Sequence, residues 1–236
     1  MVGTTDTLRK KTKMEPDILQ KEIDFILKTV GKYLIKAPTR KDVLSVYAGL
    51  RPLAAPKTED EKTREISRSH KIIVSKSNLV TLTGGKWTTF RKMGEDTVDY
   101  YKQITGETPE KSESAKQHIY GYSLTKKHDY LDIYGSEREN INELIAENPE
   151  LSEKLHPDFP YIKAEVTLAV RTEMAFKLED VLARRIRILF LDARAAIKMI
   201  PETARIMAEE LGKDQSWIDK ESAEFKKLAQ RYIIEV

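Results

Sequence analysis

Apolar residues at Ile18, Leu19, Ile23, Ile26, Leu27 and Val30 recur at three- and four-residue steps, the spacing of one helix face. Pro16 stands at a first-turn position and Gly31 follows the last apolar residue, so an amphipathic helix is predicted between them. Ahead of it, MVGTTDT is β-like with no turn or cap before it, which predicts a sheet strand and a chain that begins in mid-domain. VLSVYAGLRPL (43–53) reads as extended, APKTEDEKTRE (55–65) as a charged loop and HKIIVSK (70–76) as a strand. Ser77-Asn78 is placed to turn a hairpin into LVTLT (79–83). Gly84-Gly85 then breaks the alternation, and a helix is predicted to start near Thr88 and Thr89 and to carry Phe90, Met93, Val98, Tyr101 and Ile104.

Gly106 to Lys116 is polar and contains a proline, as a linker would, and beyond it the periodicity is helical. Ser136 and Glu139 predict a capping box ahead of Ile141, Leu144 and Ile145. A long helical region is expected from about 162 to 200, with IRILFLDARAAIKMI apolar on most faces as the central helix of a bundle. Pro201 is expected to start a further helix ending at Gly212, and Ser216 with Asp219 to cap a last one. The fold class expected is therefore α+β: a partial β-sheet domain over 1–106, followed by an all-α helical domain over 107–236.

Composition narrows the chemistry. With 41 Lys+Arg interleaved among 38 Asp+Glu, the net charge is only +3, which does not point to nucleic acid. No apolar run approaches the roughly 18 residues of a membrane span. The absence of cysteine excludes a disulfide framework, a thiol nucleophile and an iron–sulfur cluster, so redox chemistry would need a bound cofactor. His70, His118, His128 and His156 stand at no ligand spacing, and no metal site is expected. The arginines of ARRIR (183–187) are expected to pair with carboxylates such as Glu179 and Asp180.

TLTGGKWTTF is the stretch with chemistry in it. It is no Walker loop, because that needs a glycine four positions before the Gly-Lys pair and Ser or Thr after the lysine, where Trp87 stands. A glycine doublet between strand and helix lets backbone approach a flat ligand, and helix-start amides with Lys86 would favour negative charge there. An ordinary strand-to-helix turn with a solvated Lys86 reads equally well from the motif alone. Arg51 ends an apolar stretch and Arg68 precedes the hairpin. If 43–53 and the hairpin share a sheet, Arg51, Arg68 and Lys86 could converge on one anion-binding cavity.

VYAGLRPL (46–53), ISRSHKI (66–72), TLTGGKWTTFRKMGEDTVD (81–99) and AVRTEMAFKLEDVLARRIRILFLDARAA (169–196) together resemble the FAD-dependent, respiratory-type glycerol-3-phosphate dehydrogenases. GTTDT (3–7) is similar to a strand and turn of the same family. The resemblance covers the C-terminal half of such an enzyme; no GxGxxG fingerprint for the FAD pyrophosphate occurs, so a fragment is expected. It implies that Gly84, Gly85, Lys86, Trp87 and Thr88 lie against the flavin. It also implies that Arg51, Arg68 and Lys86 bind glycerol 3-phosphate, with Arg51 nearest the reacting carbon. The reaction implied is oxidation to dihydroxyacetone phosphate, with electrons passed on to quinone or oxygen.

With no apolar signal region behind the charges of MVGTTDTLRKK, the protein is expected in the cytoplasm, free or peripheral on the cytoplasmic membrane, and without the pyrophosphate site it is expected by itself neither to retain FAD nor to turn over. The uncovered edge near residues 2–7 leaves room for a homodimer. Thr172 stands where the family often has histidine and Ser69 where it often has an acid, two departures from the family's pattern. A flavoenzyme for another small anionic substrate, and a helical interaction module without catalytic work, are the other readings carried forward.

Overall fold

The structure is a computed structural model that describes residues 1–9, 13–50, 69–108 and 110–234. Its helices and strands in chain order are α1 (Gln20–Val30), β1 (His70–Val74), β2 (Val80–Gly84), α2 (Phe90–Thr105), α3 (Arg138–Glu147), α4 (Lys163–Thr172), α5 (Ile188–Leu191), α6 (Ala193–Leu211) and α7 (Gln215–Gln230). A mostly helical chain with one small sheet is the α+β class that the periodicity predicts. The chain packs as two compact units: one of residues 1–6, 15–48 and 121–236, the other of residues 7–14 and 49–120.

In the smaller unit β1 and β2 form an antiparallel hairpin in which Ile72 faces Leu82 and His70 faces Gly84. Asn78 adopts a positive φ of 62°, which the tight return requires and which asparagine tolerates better than most residues. The turn at Ser77-Asn78 is the one predicted. Helix α2 ends at Gly106, whose left-handed conformation lets its amide reach back to Gln103 and Lys102 carbonyls. No residue of α2 is fully buried, so among the described residues this unit is held by half-buried contacts and by ion pairs rather than by a dry core.

The larger unit has the core. Leu178, Val181, Leu182, Ile188, Leu189, Met199 and Met207 are almost wholly removed from water, and Phe225 of α7 closes over them. A second cluster joins Leu131, Ile141, Leu144, Ile162, Ala164 and Leu168. Several predicted boundaries move. IRILFLDARAAIKMI is two helices, because Arg187 sits at φ 62° and Asp192 is extended, its carboxylate accepting from the amides of Arg194 (2.9 Å) and Ala195 (3.0 Å). Ahead of that break Asp180–Arg185 winds as a π-helical turn. Pro201 does not start a helix: it lies inside α6, which runs through it.

The caps also differ from those expected. Helix α3 is entered through a 3-10 segment (Tyr130–Glu137), so its first turn needs no Ser136–Glu139 capping box. Asp214 rather than Ser216 caps α7, accepting from Trp217 N at 3.0 Å, while the Ser216 hydroxyl donates to that same carboxylate at 2.7 Å. Helix α1 begins at Gln20 behind an extended Leu19, four residues after the predicted Pro16 start. Residues 1–7 make no strand pairing among the described residues.

The extended stretch near 43 also behaves differently. Its described part, 43–50, forms no strand. The Val46 amide donates to the Tyr232 carbonyl at 2.9 Å, the Ser45 hydroxyl to the Leu189 carbonyl at 2.7 Å, and the Ala193 amide to the Leu44 carbonyl at 3.3 Å. Phe190 sits edge-on between Tyr47 (5.1 Å) and Tyr232 (5.8 Å). Its backbone is thus spent on the helical unit, and the sheet it was expected to share with the hairpin is two-stranded among the described residues.

Candidate functional site

Strand β2 ends in the glycine doublet. Gly84 and Gly85 have φ of 76° and 82°, a region where an L side chain is strained. At Gly85 space is short as well: a Cβ there would fall 2.7 Å from Met93 Sδ and 3.1 Å from His70 Cβ. That glycine is therefore required by its own unit, because α2 lays Met93 across the turn. The consequence is a sharp change of direction from strand to helix, with both glycines half-buried at the corner.

After the corner Lys86 is extended, and Trp87–Thr89 form one 3-10 turn that leads directly into α2. The Thr89 amide and hydroxyl both donate to the Lys86 carbonyl, at 3.0 and 2.9 Å. The amides of Trp87 and Thr88, the first two of the turn, have no acceptor earlier in the helix and stand at its positive dipole end. Lys86, Trp87 and Thr88 are exposed; Trp87 is 86% accessible, stacked at 25° on Phe90 with centroids 5.7 Å apart. An edge of free amides with a cation and an aromatic face beside it can hold a flat ligand rich in acceptors. Gly84 and Gly85 turn the chain half-buried, and Lys86, Trp87 and Thr88 follow them exposed.

Behind that edge His70 Nε2 lies 3.0 Å from Asp96 Oδ2, and Lys92 reaches both Asp96 (2.9 Å) and Glu95 (2.7 Å). Lys92, with Arg91, holds the Glu95 carboxyl down to about 2, and Lys92 also lowers Asp96. Glu95, Asp96 and Asp99 offer carboxylate oxygens within 4.8 Å of one another, but the first two are already matched by Lys92 and Arg91, and the close approach of His70 to Asp96 joins this group on α2 to β1. Sequence reading missed it, although the i, i+3 and i, i+4 spacings of Lys92 with Glu95 and Asp96 are a legible signal.

Arg51 and Arg68 lie outside the described residues. Of the three cations expected to converge, only Lys86 can be located, at the helix start. Ser69 is exposed just before β1. Thr172, the last residue of α4, turns its hydroxyl onto the Leu168 carbonyl at 2.9 Å. Two of the three arginines of 183–187 pair as expected: Arg184 with Glu179 (2.6 Å) and Asp180 (3.1 Å), and Arg185 with the Glu173 carboxylate and carbonyl.

Residues 75–218 match the family described as the C-terminal domain of alpha-glycerophosphate oxidase. The protein named "Probable glycerol-3-phosphate dehydrogenase, mitochondrial" of Caenorhabditis elegans is 36% identical over 236 residues, covering 90% of this chain and 32% of its own length. "Glycerol-3-phosphate dehydrogenase 2" of Mycobacterium tuberculosis is 33% identical over 244 residues, 95% of this chain and 41% of that protein. The crystal structure of the glycerol-3-phosphate dehydrogenase from Bacillus halodurans complexed with FAD shares the fold with a TM-score of 0.73 at 23% identity. The match takes in 99% of this chain and 50% of that one. The chain thus spans between a third and a half of the length of these relatives. With more than half of its residues inside the family match, and with the strand, doublet and helix of its candidate site at residues 80–105 within that match, the chain belongs to the family of the C-terminal domain of alpha-glycerophosphate oxidase.

Proposed function

We propose that this chain supplies the flavin-facing and substrate-binding corner of an FAD-dependent glycerol-3-phosphate dehydrogenase. The observation that carries the reading is the corner at 84–88, where the positive-φ Gly84 and Gly85 turn the strand and the exposed Lys86, Trp87 and Thr88 begin a helix whose first amides lack an acceptor within it. When bound, FAD supplies the hydride acceptor for oxidation of glycerol 3-phosphate at C2 to dihydroxyacetone phosphate. The chain's own residues do the rest. The bare amides of the corner donate hydrogen bonds to an acceptor edge on which negative charge grows, and they are already oriented. Lys86 neutralises the substrate phosphate, joined in this reading by Arg68, while Arg51 holds the hydroxyl at the reacting carbon.

Residues 1–106 in this reading belong to the FAD and substrate domain and 107–236 to a helical cap. The chain alone keeps too few cofactor contacts to retain FAD, electrons leave to quinone or oxygen, and the protein works in the cytoplasm, at a membrane surface. Pairing of two chains through residues 2–7 belongs to the same reading. The test is to mix the chain with the separately expressed N-terminal part of one of its relatives and FAD. Glycerol-3-phosphate-dependent dye reduction is expected only in the mixture, and Lys86→Ala should raise KM far more than it lowers kcat. A yellow, active chain on its own overturns the prediction of dependence on the N-terminal part, and an inactive mixture that nonetheless holds FAD overturns the enzyme reading.

A further inference from the structure

Gly85 is confined from two sides. A side-chain carbon there would fall 2.7 Å from Met93 Sδ of α2 and 3.1 Å from His70 Cβ of β1. Strand pairing sets His70 opposite Gly84, so the histidine stands directly beside the doublet. Its ring then reaches α2: Nε2 lies 3.0 Å from Asp96 Oδ2, with the two side chains only 24% and 31% exposed. Met93 and Asp96 are three residues apart and share a face of α2. Among the described residues no other side chain of β1 or β2 makes an ion pair or hydrogen bond with α2. Since α2 buries no residue fully, packing alone sets its angle to the hairpin only loosely.

The contact has a definite chemistry. Lys92 approaches the other oxygen of Asp96, Oδ1, at 2.9 Å, which keeps the carboxylate ionised beside the imidazole. An ionised carboxylate only accepts, so at 3.0 Å the proton between the two groups sits on His70 Nε2. Asp99 and Tyr100 line an open cleft with His70 and Asp96, Glu95 lies beyond Lys92, and β2 brings only the uncharged Gly84 to the ring. We infer that His70 is a positioning residue for the flavin-facing corner: tied to Asp96 by its ring and pressed on Gly85 by its Cβ, it fixes the angle between β2 and α2 at which the Trp87 and Thr88 amides meet the flavin. The inference rests on the reading that residues 84–88 face the flavin and deepens it, because His70 acts through the glycines rather than on the ligand. Amides aimed at the edge where negative charge grows favour reduced over oxidised flavin, so a corner that loses its angle lowers the reduction potential and kcat while leaving the grip on the substrate phosphate intact.

The test reads the full chain alone and mixed with the N-terminal part of a relative and FAD. In the free, nitrogen-15-labelled chain, His70→Leu is expected to displace and broaden the amide signals of Gly84, Gly85, Trp87 and Thr88. His70→Gln, whose side-chain amide can donate to Asp96 from a similar place, should restore them. In the mixture, His70→Leu should lower the midpoint potential of bound flavin by about 30 mV, a tenfold change in the ratio of reduced to oxidised flavin at a fixed poise. It should also lower kcat per bound flavin about tenfold with KM for glycerol 3-phosphate unchanged. Asp96→Ala should act in the same direction and add little to His70→Leu, because both break one contact. A His70→Leu chain that is less stable in urea yet keeps the parent's signals at 84–88 and the parent's flavin potential overturns the inference, and so does a rise in KM alone. Should His70→Leu unfold the unit, Asp96→Ala decides by the same readouts. A parent mixture that binds no FAD refutes the flavin reading, whereas the amide signals of the free chain still decide whether His70 holds the corner, so the two failures stay apart.

Discussion

Gly85→Ala is the most informative single change in the small unit. The new methyl group would meet Met93 Sδ at 2.7 Å and Cε at 2.8 Å, and His70 Cβ at 3.1 Å, on a backbone at φ 82°. The backbone term is about 1–2 kcal/mol for an L residue in the left-handed region. Displacing Met93 adds about 1–2 kcal/mol, at the low end of overpacking because its thioether end can swing aside. The sum of about 2–4 kcal/mol is large for a unit without a fully buried helix residue. Urea unfolding followed by Trp87 fluorescence, in a Trp217→Phe background so that only this unit reports, measures it. Met93→Ala combined with Gly85→Ala should recover the packing part of the loss and leave the backbone part. A Gly85→Ala cost below about 0.5 kcal/mol, or a double variant with no coupling, would refute the claim that α2 packing enforces the bare corner.

Three further outcomes follow from the helical unit. Asp192→Ala removes acceptors for two amides at the start of α6 and should cost about 1–2 kcal/mol in a thermal melt, with Asp214→Ala costing about 1 kcal/mol at α7. Glu165 is 1% accessible and takes hydrogen bonds from Ile162 N (2.7 Å) and the Tyr134 hydroxyl (2.8 Å), yet burial pushes its carboxyl above the ordinary value. The folded state then holds that proton more tightly than the unfolded chain, so stability should fall as pH rises from 4.5 through the raised value, and Glu165→Gln should remove this slope in unfolding curves taken against pH. Glu202 has the opposite sign: Arg205, then Lys163, holds it down to about 2, so its contribution is present above 4.5, is lost as pH falls toward 2, and should vanish from acid titrations of Glu202→Gln.

Much of the architecture was legible because the hairpin and the amphipathic helices are written in strong periods. Alternation over 70–83 around Ser77-Asn78 has few other solutions, and the glycine doublet was visible as the point where that alternation stops. Breaks inside apolar runs were not legible. Asp192 looks like one polar residue in a buried helix, and only its extended backbone shows that it ends α5 and caps α6. Asp214 and Ser216 are equally good caps by residue type, and the choice is made by which one stays extended, with φ −95° and ψ 178° at Asp214. For 43–50, a pattern that suits a strand met backbone donors and acceptors of the helical unit instead, and periodicity carries no information about which partner claims those groups. At the site, residue type and spacing located the corner at 84–88 but could not supply the partners of Lys86, since Arg51 and Arg68 stand far from it in sequence.

The central claim is that the corner at residues 84–88 faces the flavin, and Trp87 is a built-in reporter of it. In the Trp217→Phe chain, Trp87 emission can be followed while the N-terminal part of a relative is added with and without FAD. Strong quenching that appears only with FAD, and that glycerol 3-phosphate changes further, is the predicted result. Bound FAD that leaves Trp87 emission as bright as in the free chain would contradict it.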